Sequence, residues 1–277
     1  MFADLCIIIK TMMRIFERGK HDLSAETPLK KRTEPPPDIK SPKEEVLASR
    51  EKVSSKKIGR GVTDSSFVEL KDDGKGVFKT QWYKTERAAY LVDRFLGINL
   101  TPPTTIRNLD GEIGSMQEFI PDSETFLEMK FQSESDRDDF VRRHRDEFMR
   151  MWVFDLMIGN SDRHFGNSLF SGDVLYAIDH GHSLDHYKKD FLEKIERITG
   201  CYGSKYDSFF DEELPLNLVQ RIKRFLENLE YQQILEDLLK EMIGKECAAA
   251  CLRRVRFIRK MVVETGKISK DKIGFGY

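Results

Sequence analysis

Short apolar runs alternate with turn residues in the part of the chain between residues 57 and 120. The turn signals are Gly and Asp, and the runs between them have the length and spacing of strands. We therefore predict strands over Ser66–Leu70, Gly76–Thr80 and Ser115–Ile120. A helix over Thr85–Leu96 interrupts them, with Thr85 as the expected N-cap and an apolar stripe along one side.

From residue 133 onward, apolar positions recur at helical spacing. The exception is an irregular stretch around 159–187, which contains one strand-like run, Val174–Ile178. The pattern predicts an α+β fold of two lobes around a cleft. A small β-rich N-lobe would cover residues 56–120, and a larger, mostly α-helical C-lobe would cover residues 121–277.

The first 55 residues follow neither pattern. Residues 1–18 could form a short helix with its apolar side chains toward one side. Residues 19–55 are polar, contain Pro35-Pro36-Pro37 and lack apolar periodicity, which predicts a flexible linker. The chain has no apolar run close to the ~20 residues that a membrane-spanning helix needs.

Composition narrows the classes of function. The chain has 277 residues with 46 basic and 47 acidic side chains, which gives a net charge of −1. A near-neutral total removes the electrostatic basis for a general nucleic-acid binder, so no nucleic-acid partner is expected. Four cysteines are too few for a disulfide scaffold and are typical of a reducing compartment, so a cytoplasmic location is expected.

The segment richest in candidate chemistry is Ile158-Gly159-Asn160-Ser161-Asp162-Arg163-His164-Phe165-Gly166-Asn167, followed after a short gap by Ile178-Asp179-His180-Gly181. Phosphoryl transfer needs a carboxylate where the acceptor hydroxyl arrives, and oxygen ligands for the cation that bridges nucleotide phosphates. Asp162 and Asn167 have the spacing of a kinase catalytic loop, and Asp179 adds a carboxylate at the end of a strand-like run.

Further candidates for a nucleotide site precede this segment in the order that phosphoryl transfer requires. Lys79, on a predicted strand, could reach phosphate, and Glu86 in the next helix could pair with it. A favourable acid in the first turn of that helix is the alternative role for Glu86. A small-residue turn could hold phosphate oxygens, and a strand leading into a loop could read adenine with its backbone. The candidates in these two segments are Gly59, Gly61, Ser65 and Ser66, then Gln117, Glu118 and Phe119.

The Asp-Arg-His-x-x-Asn core and the following Ile-Asp-His-Gly closely resemble the phosphatidylinositol 3-/4-kinase-like superfamily, which includes lipid kinases, HipA-type kinases and the actin-fragmin kinase. The resemblance implies a protein-kinase-like fold that uses ATP with Mg²⁺ or Mn²⁺. It also implies that Asp162 is the catalytic aspartate, that Asn167 and Asp179 bind the metal, and that Arg163 and His164 support catalysis. The usual Asp-Phe-Gly is Asp179-His180-Gly181 here, so a switch by Phe flipping is not implied.

Several alternatives stay open on the sequence alone. The acceptor is expected to be a protein Ser or Thr, and a phosphoinositide is the main alternative. A non-catalytic nucleotide-binding scaffold is a further alternative. Arg163 could hold the loop through an ion pair, and His164 could be a buried structural histidine. The run His180-Gly181-His182-Ser183-Leu184-Asp185-His186 also allows a metal-dependent hydrolase, although the spacing of its ligands differs from known boxes.

Overall fold

A twisted antiparallel sheet with one long helix against it forms the first half of the chain in the computed structural model, which describes residues 41–58, 64–184 and 209–275. The order of the sheet is β1-β2-β3-β5-β4, and every neighbouring pair is antiparallel. The strands are β1 (Lys52–Lys57), β2 (Ser65–Leu70), β3 (Gly74–Lys79), β4 (Thr104–Leu109) and β5 (Glu112–Glu118).

Helix α2 (Tyr83–Leu96) connects β3 to β4 and ends at Gly97, whose φ of +65° suits a residue without a side chain. The helix begins two residues before the predicted N-cap. Trp82 takes that position with left-handed backbone angles and makes no side-chain hydrogen bond to the helix, so the prediction of Thr85 as N-cap is wrong. The chain reverses direction directly after β3, and this turn geometry leaves no capping signal in the sequence.

Residues within the predicted linker are ordered, which is the main correction to the expected organisation. Helix α1 covers Pro42–Ser49, and β1 follows it, so the linker prediction is wrong from residue 42 onward. Ser41 and Glu44 form a capping box, in which the Ser41 hydroxyl accepts from the Glu44 N–H and the Glu44 carboxylate accepts from the Ser41 N–H. The Ser-Pro-Lys-Glu tetrapeptide was the signal for this helix.

The second half of the chain is largely helical and confirms the two-lobed α+β prediction. Helix α4 (Arg145–Ile158) is its central element, because each residue from Phe148 to Ile158 is buried. A small sheet lies beside it in the order β6-β7-β8. The other elements of this lobe are β6 (Glu124–Thr125), α3 (Glu134–Arg143), β7 (Ser168–Ser171), β8 (Val174–Ala177), α5 (Leu216–Glu227), α6 (Leu229–Ile243), α7 (Lys245–Thr265) and α8 (Lys270–Phe275).

The apolar interior is divided into two clusters. The larger cluster joins α2 to the helices of the C-lobe, and α2 packs directly against α5 and α6. The smaller cluster lies on one face of the five-stranded sheet and contains Leu47, Val68, Leu70, Phe78, Leu109 and Met116. Helix α2 is therefore packed with the C-lobe as much as with the sheet to which its sequence position assigns it. Among the described residues, no helix combines the length and the apolarity needed to cross a bilayer.

Candidate active site

Three of the predicted site residues meet in the cleft between the sheet and the C-lobe. The Lys79 ammonium, at the end of β3, lies 2.9 Å from a Glu86 carboxylate oxygen and 3.2 Å from an Asp179 carboxylate oxygen. Glu86 comes from α2, and Asp179 follows β8 in the C-lobe. The side chain of Lys79 is 14% exposed, whereas that of Asp179 is 35% exposed, so the cleft is open on the side of Asp179.

Both members of the Lys79–Glu86 pair are held in their charged forms. Burial would lower the pKa of Lys79, but the Glu86 and Asp179 carboxylates raise that pKa above its ordinary value. Burial would likewise raise the pKa of Glu86, but the Lys79 ammonium and the contact with His180 hold it well below the usual range. A fixed positive charge therefore lies at the back of the cleft.

The catalytic-loop segment begins where α4 ends. Gly159 terminates the helix with φ of +66°. The buried Arg254 of α7 lies at this end and binds backbone carbonyls of the last turn. The Arg254 guanidinium donates to the carbonyls of Met157 and Ile158 at 3.0 and 3.1 Å. Arg254 therefore points inward, whereas its neighbours Arg253 and Arg256 on α7 are exposed.

Arg163 is fully buried and organises the loop from beneath. It makes a two-pronged ion pair with Asp155 of α4, with N···O distances of 2.9 and 3.0 Å. Its Nη1 also donates to the carbonyls of Asn167 and Ile178, both at 2.7 Å. The four contacts favour the alternative in which Arg163 holds the loop over direct contact with phosphate, because the side chain connects α4, the loop and the residue before Asp179.

Asp162 is exposed, although its neighbour in the loop, Arg163, is buried. Its N–H donates to Asn160 Oδ1 at 3.1 Å, and the Asn160 amide in turn donates to Asp155 at 3.1 Å. The Asn167 amide donates to the carbonyl of Asp162 at 3.1 Å. The backbone of Asp162 is therefore held on both sides by hydrogen bonds, while its side chain is exposed.

His164 is exposed, so it is not the buried structural histidine that the sequence allowed. Its Nδ1 accepts from the Gly166 N–H at 3.0 Å and caps the short 3₁₀ turn Phe165–Asn167. This cap shapes the turn that carries Asn167.

The residues after β8 take an unusual backbone. Asp179 has φ of +57°, a left-handed conformation that is uncommon outside Gly and that aims its carboxylate at Lys79. His180 is completely buried, its N–H donates to Glu86 at 3.1 Å, and its ring packs edge-on against Phe154 at 5.6 Å. Burial lowers the pKa of His180, so its imidazole is neutral at physiological pH.

Apolar side chains that the sequence analysis missed line the sheet face of the cleft. In the β2–β3 register, Ser65 lies opposite Lys79 and Phe67 lies opposite Val77, so these four side chains share one face. The Phe67 ring meets that of Phe119 edge-on at 4.9 Å. An adenine ring would find apolar contacts here. The side chains of β2 and β3 alternate between the two faces of the sheet, so the sequence could have shown which residues share a face. It does not show which of the two faces borders the cleft.

Other predicted nucleotide-binding positions have partners within the sheet or face its core, and their role in binding stays a prediction. Ser66 lies opposite Phe78, whose ring is in the sheet core, so its side chain points to the other face. The N–H groups of Glu118 and Phe119 donate to the carbonyls of Pro103 and Lys75 at 2.7 and 3.1 Å, and are therefore occupied within the sheet. The Gln117 amide donates to Thr104 at 3.0 Å. Gly59 and Gly61 lie outside the described residues.

The oxygen donors in the cleft suit a hard divalent cation. The amide nitrogen of Asn167 donates to the carbonyl of Asp162, and its amide oxygen accepts no hydrogen bond from a described residue. Together with the partly exposed Asp179 carboxylate, it provides neutral and anionic oxygen ligands of the kind that Mg²⁺ and Mn²⁺ prefer.

The alternative of a metal-dependent hydrolase finds no support in the described part of the chain. His180 is buried beside Phe154, whereas His182 is exposed and lies against the Trp82 ring at 4.6 Å, so the two imidazoles diverge. Asp185 and His186 lie outside the described residues. No group of three or more His, Cys, Asp or Glu side chains among residues 41–58, 64–184 and 209–275 forms a metal site.

Solved structures of kinases share this fold. The Golgi casein kinase with Mn and ADP bound superposes with a TM-score of 0.53 at 16% identity, over 79% of this chain and 74% of that chain. Fam20 of hydra with sugar superposes with a TM-score of 0.57 at 14% identity, over 80% of this chain and 87% of that chain. The proinflammatory kinase CtkA of Helicobacter pylori superposes with a TM-score of 0.53 at 16% identity, over 79% of this chain and 97% of that chain. At such identities the likeness concerns the fold alone.

The sequence also matches a family model. No curated protein matches the chain. Residues 49–244, well over half of the chain, match the model described as phosphatidylinositol 3- and 4-kinase. This range contains the Lys79–Glu86 pair, the catalytic-loop segment and Asp179. The chain is therefore a kinase and belongs to the phosphatidylinositol 3- and 4-kinase family.

Proposed function

We propose that this kinase transfers the γ-phosphoryl group of ATP, with a divalent cation, to the hydroxyl of a protein Ser or Thr. The observation that carries the proposal is the convergence in one cleft of the Lys79 ammonium, the Glu86 and Asp179 carboxylates and the loop that presents Asp162. These are the side chains that phosphoryl transfer requires, each placed by a different element of the fold.

Asp162 acts on the acceptor. Its exposed carboxylate accepts a hydrogen bond from the incoming hydroxyl and takes the proton as the oxygen bonds to the γ-phosphorus. The bond between the γ-phosphorus and the β–γ bridging oxygen breaks, and ADP leaves with that oxygen. Positioning supplies most of the rate, because the buried Arg163–Asp155 pair fixes the loop before the substrate arrives.

The nucleotide would lie under the sheet, with its base near Phe67 and Val77 and its phosphates near Lys79. Asn167 and Asp179 would hold Mg²⁺ or Mn²⁺, which when bound neutralises charge on the phosphate oxygens. Lys79 adds a second positive charge and Glu86 keeps it aimed at the phosphates.

The acceptor class rests on comparison. One of the kinases that share the fold is named for casein, so the fold is compatible with a protein as the acceptor. The family description favours phosphoinositide as the second candidate. The small number of cysteines supports a cytoplasmic location as part of the proposal.

Radiolabel transfer separates these acceptors. The full chain is incubated with γ-labelled ATP and Mg²⁺ or Mn²⁺, first alone, then with casein, and then with vesicles that contain phosphatidylinositol. Label on Ser or Thr of protein supports the proposal, and label on the lipid alone supports the second candidate. Label on neither, from a chain that ATP and metal still stabilise against heat, would overturn both.

We expect Asp179→Asn to weaken metal-dependent nucleotide binding. Removal of this carboxylate leaves the cation with one anionic ligand fewer, and the ATP affinity measured in Mg²⁺ by calorimetry should fall at least tenfold. In EDTA the variant and the wild type should bind ATP with similar affinity. Equal affinities in Mg²⁺ would remove Asp179 from the metal site. Asp173→Asn is the matched control, because it removes an exposed carboxylate in the β7–β8 turn.

A further inference from the structure

A buried carboxylate connects α1 to α2. Glu44 is 0% exposed, and its side chain accepts hydrogen bonds from three residues of α2. Arg87 donates to Oε1 at 2.6 Å, and the Tyr90 hydroxyl and Arg94 donate to Oε2, the hydroxyl at 3.1 Å. Positions 87, 90 and 94 are spaced by three and four residues and so form one face of α2.

The network keeps Glu44 ionised in the interior. Burial would raise the pKa of Glu44, but the Arg87 and Arg94 guanidinium groups and the Ser41 N–H hold it below its ordinary value. A carboxylate buried at this depth is tolerated only when its charge is compensated and its oxygens are hydrogen-bonded, and both conditions are met here.

The other side of α1 belongs to the sheet. Leu47 is part of the small apolar cluster on the sheet face, and its carbonyl accepts from Arg107 of β4 at 2.9 Å. Lys43 pairs with Glu118 at the end of β5. One eight-residue helix therefore bonds both to the sheet that carries Lys79 and to the helix that carries Glu86.

This bridge matters because Lys79 and Glu86 come from elements that pack into different apolar clusters. The sheet has its own small core, whereas α2 is packed into the large core of the C-lobe. A small displacement of α2 against the sheet would lengthen the 2.9 Å contact between Lys79 and Glu86. Arg87, which Glu44 holds directly, is the residue after Glu86 and also donates to the Thr104 carbonyl of β4.

We propose that Glu44 is a positioning residue for phosphoryl transfer, which acts through Arg87 to keep Glu86 in contact with Lys79. The inference rests on the proposed function. Glu44 would not touch the substrate, and the segment before the cleft would be part of the catalytic unit.

A double-mutant cycle tests the proposal. Glu44→Gln keeps the shape of the side chain and removes its charge, and we expect kcat/KM to fall roughly tenfold, a size common for residues coupled through one network. Glu86→Gln alone should cost about a hundredfold, as misplacement of a catalytic group does. Because Glu44 acts through Glu86, the double variant should be no slower than Glu86→Gln. Independent effects would multiply to roughly a thousandfold and would overturn the proposal.

A second readout does not depend on turnover. The contact with Glu86 holds the Lys79 ammonium in place, so the amine of a Lys79 that loses this contact is more accessible to an acylating reagent. Labelling with an N-hydroxysuccinimide ester at pH 8, followed by mass spectrometry, should therefore rise severalfold at Lys79 in Glu44→Gln. Lys52, paired with Asp110 at the sheet edge, is the internal reference and should not change. Equal labelling of Lys79 in the variant and the wild type would overturn the proposal.

Controls separate this proposal from the proposed function. Glu45→Gln removes an exposed carboxylate from the same helix and should match the wild type in both measurements. If Glu44→Gln does not fold, Arg87→Lys takes its place, since lysine keeps the charge but cannot bridge Glu44 and Thr104. If the wild type transfers phosphate to no acceptor, or Glu86→Gln does not slow transfer, the proposed function fails, and the labelling of Lys79 still decides the role of Glu44.

Discussion

Asp162→Asn should lower kcat by about three orders of magnitude, within the range that loss of a positioned general base produces. The amide keeps the size of the side chain but cannot take the acceptor proton. The bonds that fix the loop pass through the backbone of Asp162, so they remain in the variant. The fold and the nucleotide site should therefore be unchanged.

Single-turnover transfer of labelled phosphate measures this loss, and calorimetry measures the affinity for ATP in Mg²⁺. The affinity should stay within about twofold of the wild type, because Asp162 faces the acceptor and not the nucleotide. Asp173→Asn again serves as the control for loss of an exposed carboxylate. Wild-type turnover in Asp162→Asn would exclude Asp162 as the base.

Asp155→Ala should be among the most destabilising single changes in the chain, with a loss of about 3–5 kcal/mol in the free energy of unfolding. Asp155 and Arg163 are both 0% exposed, and removal of the carboxylate leaves a guanidinium charge in the interior without its partner. The Asn160 amide also loses its acceptor, so the backbone of Asp162 is released.

Urea denaturation gives this free energy, with Asp146→Ala as the control, since Asp146 lies on the same helix with its side chain 61% exposed. The control should change stability by less than about 0.5 kcal/mol. The double variant Asp155→Leu with Arg163→Met should recover much of the stability but not the activity, because it removes both charges together. A loss below about 1 kcal/mol in Asp155→Ala would show that water compensates the charge of Arg163.

The chemistry of the site was predictable because its parts are local in sequence. Asp162 and Asn167 belong to one short loop, and Asp179 follows the β7–β8 hairpin that comes directly after it, so these residues are near one another in the sequence. Lys79 and Glu86 were found for the same reason, since a strand and the following helix are neighbours. Their roles in catalysis stay predictions that the variants above test.

The parts that sequence reasoning missed depend on distant contacts. Asp155 lies eight residues before Arg163 in a predicted helix. Nothing in the sequence distinguishes it from an exposed polar residue, and only the fold shows that it is buried. The N–H groups of Glu118 and Phe119 donate to the carbonyls of Pro103, just before β4, and of Lys75 in β3, and no local pattern around Glu118 and Phe119 reveals these partners. Glu44 was assigned to a linker because its partners lie more than 40 residues away.

Helix α1 also affects how the enzyme should be produced. Composition alone would place the start of a recombinant kinase domain near residue 56, after the polar segment. Such a chain would lack Glu44 and Leu47, and it would leave Arg94, which is 6% exposed, without its carboxylate. Weak activity in the truncated protein would then suggest a degenerate kinase, although the fault would lie in the choice of its first residue.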